Sequence, residues 1–101
     1  MIDPTHLRIE TMASGHLTLV LRENASWADF ETFAPQFLAA HGGTVVHKAD
    51  TPVERVWTVK FGDAQVWLVF DDAVARFEID TNDATGDACV RRLAQKLGMK
   101  R

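Results

Sequence analysis

The stretch from Val56 to Ile79, VWTVKFGDAQVWLVFDDAVARFEI, limits the fold more than any other part of the chain. Apolar and polar residues alternate around two turn signals, the pattern of three antiparallel strands rather than of a helix. Two-residue hairpin loops need positive φ, which Gly beside Asp supplies readily. Gly62-Asp63 therefore fits the first loop and Asp71-Asp72 the second. The first choice sets Phe61 against Ala64, Val59 against Val66 and Trp57 against Leu68. The second sets Phe70 against Ala73, Leu68 against Ala75 and Val66 against Phe77, and it places Trp67 across from Arg76. Asp71-Asp72 is a poorer turn pair than Asn-Gly, so a longer second loop is the alternative.

Directly paired residues share a face, and faces alternate along a strand. One face then gathers Trp57, Val59, Phe61, Val66, Leu68, Phe70, Ala75, Phe77 and Ile79, with no charge among them. The other gathers Val56, Thr58, Lys60, Gln65, Trp67, Val69, Val74, Arg76 and Glu78. A slip by one residue mixes the two sets, so the pattern selects this register.

Ahead of this meander, His6 to Arg22 reads as a hairpin. A three-residue loop Ala13-Ser14-Gly15, with Gly15 left-handed, pairs Ile9 with Leu19 and Thr11 with Leu17. A helix follows, with Ser26 as N-cap and Asp29 completing a weak capping box. Its apolar stripe is Trp27, Phe30, Phe33, Ala34, Phe37 and Leu38. Pro35 removes one backbone bond and crowds the preceding turn, so a kink or two short helices are expected near Ala34. Gly42-Gly43 ends the segment, His41 reads as a cation at the helix C-terminus, and Thr44 to Lys48 is a short strand. Asn82 or Asp83 opens a last helix with Cys89, Val90, Leu93, Ala94 and Leu97 inward and Gly98 as its stop. The order is ββαββββα, an α+β fold with a largely antiparallel sheet and both helices on one face. Strand order in space does not follow from it.

At 101 residues the chain makes a single domain over residues 1–101. No apolar run approaches the roughly 18 residues of a membrane span, and the N-terminus lacks the layout of a signal peptide. A single cysteine, Cys89, leaves no internal disulfide and suits a reducing compartment, so a cytoplasmic location is the expectation. A net charge of −3 argues against a general nucleic-acid binder. Arg91, Arg92, Lys96, Lys100 and Arg101 make the C-terminal end basic, after a run of acids that includes Asp71, Asp72, Glu78, Asp80, Asp83 and Asp87. Complementarity to the dipole of the last helix accounts for that order.

Catalytic, cofactor and metal motifs are not evident. His6, His16, His41 and His47 show neither the i, i+4 helical spacing nor the Cys-x-x-Cys partner of a zinc site. Cys89 lies on the apolar stripe and reads as a buried thiol, and the carboxylates follow no calcium-loop spacing. Trp67 is the informative residue. A sheet covered by helices on one side usually turns a polar face to water, yet this one carries Trp67 among Val56, Val69 and Val74, with Arg76 opposite. Exposed apolar area of that kind marks interaction sites, where Trp and Arg are enriched. The alternatives are a cross-strand cation–π pair of Trp67 with Arg76, or a loop or the first hairpin covering both.

The helix opening Trp27-Ala28-Asp29-Phe30, the strand Val56 to Gly62, the segment Val66 to Asp72 and Phe77-Glu78 resemble a family of small proteobacterial proteins of unknown function. The resemblance spans Leu17 to Leu97 and implies no activity or site. In size, acidity and build the chain is also similar to immunity proteins of bacterial toxin systems, a likeness of class rather than of motif. The expectation is a non-enzymatic protein that occupies a partner's surface, a toxin or effector, through Trp67, Arg76, Val56, Val69 and Val74. Burial of the same face in a homodimer is the alternative, and a small enzyme a more distant one.

Overall fold

The computed structural model describes residues 2–99. Lys100 and Arg101, part of the basic end inferred from sequence, lie outside the described residues. After a 3-10 turn at Pro4–His6 the chain forms β1 (Arg8–Thr11), β2 (Leu17–Arg22), α1 (Trp27–His41), β3 (Gly43–Asp50), β4 (Glu54–Phe61), β5 (Ala64–Asp71), β6 (Arg76–Asp80) and α2 (Ala84–Lys96). This is the ββαββββα order. One six-stranded antiparallel sheet runs β1-β2-β6-β5-β4-β3. Helix α1 carries the chain from the β1–β2 hairpin to the far edge, and the meander returns until β6 closes against β2. Both helices join the apolar face of the sheet in one core.

Two of the β hairpins, β4–β5 and β5–β6, show how loop chemistry sets register. Between β4 and β5, Gly62 takes φ +61° at the first central position, and Phe61 pairs with Ala64 and Trp57 with Leu68. Between β5 and β6 the two-residue loop is overturned. Phe70 pairs with Phe77, Leu68 with Ile79 and Asp71 with Arg76, leaving Asp72 to Ala75 as a four-residue loop. A two-residue loop of the types that match strand twist would hold Asp71, or both aspartates, at positive φ. Instead Asp71 stays in the strand, its Oδ1 accepts the Ala73 N–H at 3.0 Å, and Ala75 takes the left-handed position at φ +51°. The register moves by an even number of residues, so every strand side chain keeps its face.

Other elements follow from local chemistry. The first hairpin has the three-residue loop, with Ile9 on Leu19 and Gly15 at φ +89°. Ser26 caps α1 by accepting the Asp29 N–H, and Asp83 caps α2 by accepting the Gly86 N–H at 2.7 Å. Pro35 does not split α1, which runs unbroken over 15 residues. Its ring is on the solvent side, where the carbonyl it leaves unpaired can be hydrated. Gly42 closes α1 in the left-handed conformation, but Gly43 is required for space. A Cβ there would lie 2.6 Å from Leu38 Cδ2 and 2.8 Å from the Phe61 ring. Met99 N–H bonds the Ala94 carbonyl and Gly98 N–H that of Gln95, a Schellman closure of α2.

The start of α2 is fastened to the sheet by Asp87. Its carboxylate accepts the Leu17 N–H at 3.0 Å, lies 2.9 Å from His16 Nδ1 and takes the Thr81 hydroxyl. Those bonds, Thr81 first and His16 next, hold its pKa down at about 2.

Candidate binding face of the sheet

Alternation along the strands places two rows on the face away from the helices. One runs Arg8, Val20, Glu78, Val69, Val56 and Ala49, and the next runs Glu10, Thr18, Asp80, Trp67, Thr58 and His47. Trp67 therefore lies between Asp80 and Thr58. It does not face Arg76, which pairs with Asp71 at the far end of β6, so the expected Trp67–Arg76 pair is overturned by the longer loop. Val74 is also displaced from the sheet: it is 53% exposed at the loop tip. Trp67 and Val56 are half-buried, whereas Val69 and Val20 are buried.

A network of charged side chains crosses the same face. Arg8 bonds Glu23 at 2.8 Å and Glu10 at 2.7 Å; Glu10 accepts from Arg76 at 3.2 Å, and Arg76 from its Nε bonds Glu78 at 2.8 Å. Since β2 separates β1 from β6, the Arg76 side chain must reach across β2, whose Thr18 and Val20 face it. Arg76 is thus tied to two carboxylates rather than free for a partner. Burial works against its charge, but Glu78 and Glu10 outweigh burial and raise its pKa.

Glu78 and Asp80, two apart on one strand, point the same way, and the Thr18 hydroxyl stands between them, 3.2 Å from Glu78 and 2.6 Å from Asp80. A hydroxyl carries one hydrogen and cannot donate fully to two carboxylates. A proton shared by the pair resolves the conflict. Burial, reinforced by the Glu78 carboxylate, pushes Asp80 up to about 8. Burial also opposes Glu78, but hydrogen bonds from Asp80, Arg76 and Thr18 win and its pKa is lowered. The shifts favour one proton held by the pair, on the Asp80 side.

Sequence reasoning missed this pair and also Arg55. The signal for the pair was the alternation Phe77-Glu78-Ile79-Asp80, which sends both carboxylates to the open face. Alternation likewise sends Arg55 to the core face with Trp57. There it is 4% exposed, with its guanidinium 4.7 Å from the Trp27 ring centre and bonded to Glu31 and, at 3.0 Å, to Asp50. His41 departs from its reading as a cation: burial first, and Lys96 second, lower its pKa. Cys89 is a buried thiol whose pKa burial raises. Among the described residues no three His, Cys, Asp or Glu side chains group to hold a metal ion. No helix among them is long and apolar enough to cross a membrane.

A family model described as "Protein of unknown function (DUF3630)" matches residues 7–97. The chain belongs to that family. The match takes in every strand and both helices, so it describes the whole fold rather than one motif. The family's description names no activity, and no role passes from it to Trp67, Arg76 or the Glu78–Asp80 pair. The chain matches no curated protein and no solved structure.

Proposed function

We propose that this chain is a non-enzymatic binding protein whose partner protein docks on the open face of the sheet. The observation that carries the reading is Trp67, half-buried beside Val56 on a face that neither helix covers. Trp is the residue type most enriched where binding energy concentrates. Val69 and Arg76 support that surface from within, the one buried and the other held by Glu78 and Glu10. Val74 offers a separate contact from its loop. The net charge of −3 favours a basic partner by steering encounter. Occupying a toxin or effector, as an immunity protein or inhibitor does, is the most concrete form of this role.

Affinity capture from the native host, compared between wild type, Trp67→Ala and a helix-side control Arg91→Ser, tests the proposal. A protein lost with Trp67→Ala and kept with Arg91→Ser supports it; capture equal in all three overturns it. A second reading, self-association, is favoured by β3. That edge strand is eight residues long, and Val45 and Val46, at 37% and 54% exposure, stand out from it beside a bulge. Long exposed edges invite pairing with another strand. Sedimentation equilibrium giving one monomer mass at every concentration would end that reading.

A further inference from the structure

On the helical side, away from Trp67, α1 and α2 leave a cleft of about 380 Å³. Its volume is in the range of small-molecule sites, which are apolar with a few polar groups. Phe33, Phe37, Ile2 and Leu97 supply apolar wall, and His41 and Lys96 supply polar atoms. A smaller hollow of about 240 Å³ shares His41 and Lys96 and adds Arg92. We propose that this cleft, together with the hollow that shares its His41 and Lys96, binds a small amphipathic anion, an aliphatic carboxylate with its chain on Phe33 and Phe37 and its charge at Lys96 and, from the hollow, Arg92.

Two observations converge on an anion, and a third marks an unmet hydrogen bond at the cleft wall. Arg92 and Lys96 stand one turn apart on α2, and among the described residues neither has a carboxylate within ion-pairing distance. The facing residues of α1, namely Phe33, Gln36, Phe37, Ala40 and His41, include no acid. His41 Nδ1 is buried with no hydrogen-bond partner, although buried polar atoms normally have one. The other titratable group at the hollow is the Cys89 thiol, kept protonated by burial. The chemistry facing the cleft is therefore cationic or neutral, and a carboxylate would meet the lysine and arginine without an internal competitor.

NMR titration with sodium octanoate, and with 1-octanol as the uncharged counterpart, tests the site. Octanoate should give saturable shifts at Ile2, Ala40 and Leu97 and raise the pKa of His41. Arg92→Gln with Lys96→Gln should weaken octanoate roughly tenfold or more while leaving octanol unchanged. Ala40→Phe, on an exposed helical position, should block the cleft with the thermal transition retained. Octanoate without saturable shifts, or octanoate and octanol bound alike with the double variant silent, overturns the proposal. Neither result bears on Trp67, so this site and the sheet face stand or fall separately.

Discussion

Leu19, Ile79, Leu68 and Trp57 run across β2, β6, β5 and β4 as one row, none more than 1% exposed. One residue along each strand, Thr18, Asp80, Trp67 and Thr58 cross the same four strands on the opposite face. The first row needs only shape and volume, because burial of apolar surface is non-directional. The second depends on direction, on a hydroxyl aimed at two carboxylates and an arginine reaching across a strand. A face built in the first way is indifferent to pH, and one built in the second is not. The apolar row therefore reads as the source of stability and the polar row as the part whose stability depends on geometry and pH.

The largest expected effect lies on the helix-covered side. Phe77 is fully buried, its ring 4.6 Å from that of Phe33 and 5.4 Å from that of Phe30. Phe77→Ala should cost about 3–5 kcal/mol in urea unfolding, the usual penalty for emptying an aromatic site. Val20→Ala, equally buried but on the open face, should cost about 1–2 kcal/mol, since its neighbours there are flexible charged side chains that can settle. Equal losses would erase the distinction between the faces.

A smaller effect, confined to the open face, comes from Asp80. Its folded pKa of about 8 exceeds the ordinary 3.8. The folded protein thus holds a proton that the unfolded chain releases, and this group's contribution to stability should fall as pH rises from about 4 to about 8. A fully effective site would lose about 1.4 kcal/mol per pH unit. Partial solvation should reduce the whole decline to the order of 1–3 kcal/mol. Asp80→Asn should flatten that slope in urea midpoints measured at successive pH values. A slope unchanged in the variant would show that the proton resides elsewhere.

How much of this contrast could be read from the residues depends on periodicity. Trp57, Val59, Val66 and Leu68 announce their face by alternation, and the four-residue shift in β5–β6 pairing leaves every one of them on that face. What alternation cannot supply is who stands beside whom. Trp67 was assigned Arg76 and has Asp80, because the loop closes on an aspartate side chain rather than on a two-residue turn. The β2–β6 pairing, which brings Thr18 to Glu78 and Asp80, joins residues about 60 apart, and no local pattern encodes it. The cleft between the helices was likewise invisible, since it depends on how two stripes meet. Gly62 is the legible device that keeps the two rows from trading places. Gly62→Ala, forced into φ +61°, should cost about 1–2 kcal/mol, whereas Asp72→Gly in the second loop should change little. Thermal unfolding of both separates a turn that dictates register from one that accommodates it.

A stability change among the smallest expected is the one with most bearing on function. Trp57 and Trp67 lie one residue apart in the lattice, on rows that cross the same four strands. Trp57 is buried at 1% exposure against Phe30, with Lys48 Nζ 4.1 Å from its ring centre. Trp67 keeps part of its surface in water. Trp57→Ala should therefore fall in the range of about 3–5 kcal/mol, and Trp67→Ala should cost less, about 1–2 kcal/mol. A large aromatic that adds less to its own fold than its buried neighbour would leave surface for the partner proposed above. Were Trp67→Ala to destabilise as severely as Trp57→Ala, the open face would be a second core in its own right, and the docking role proposed for it would lose its ground.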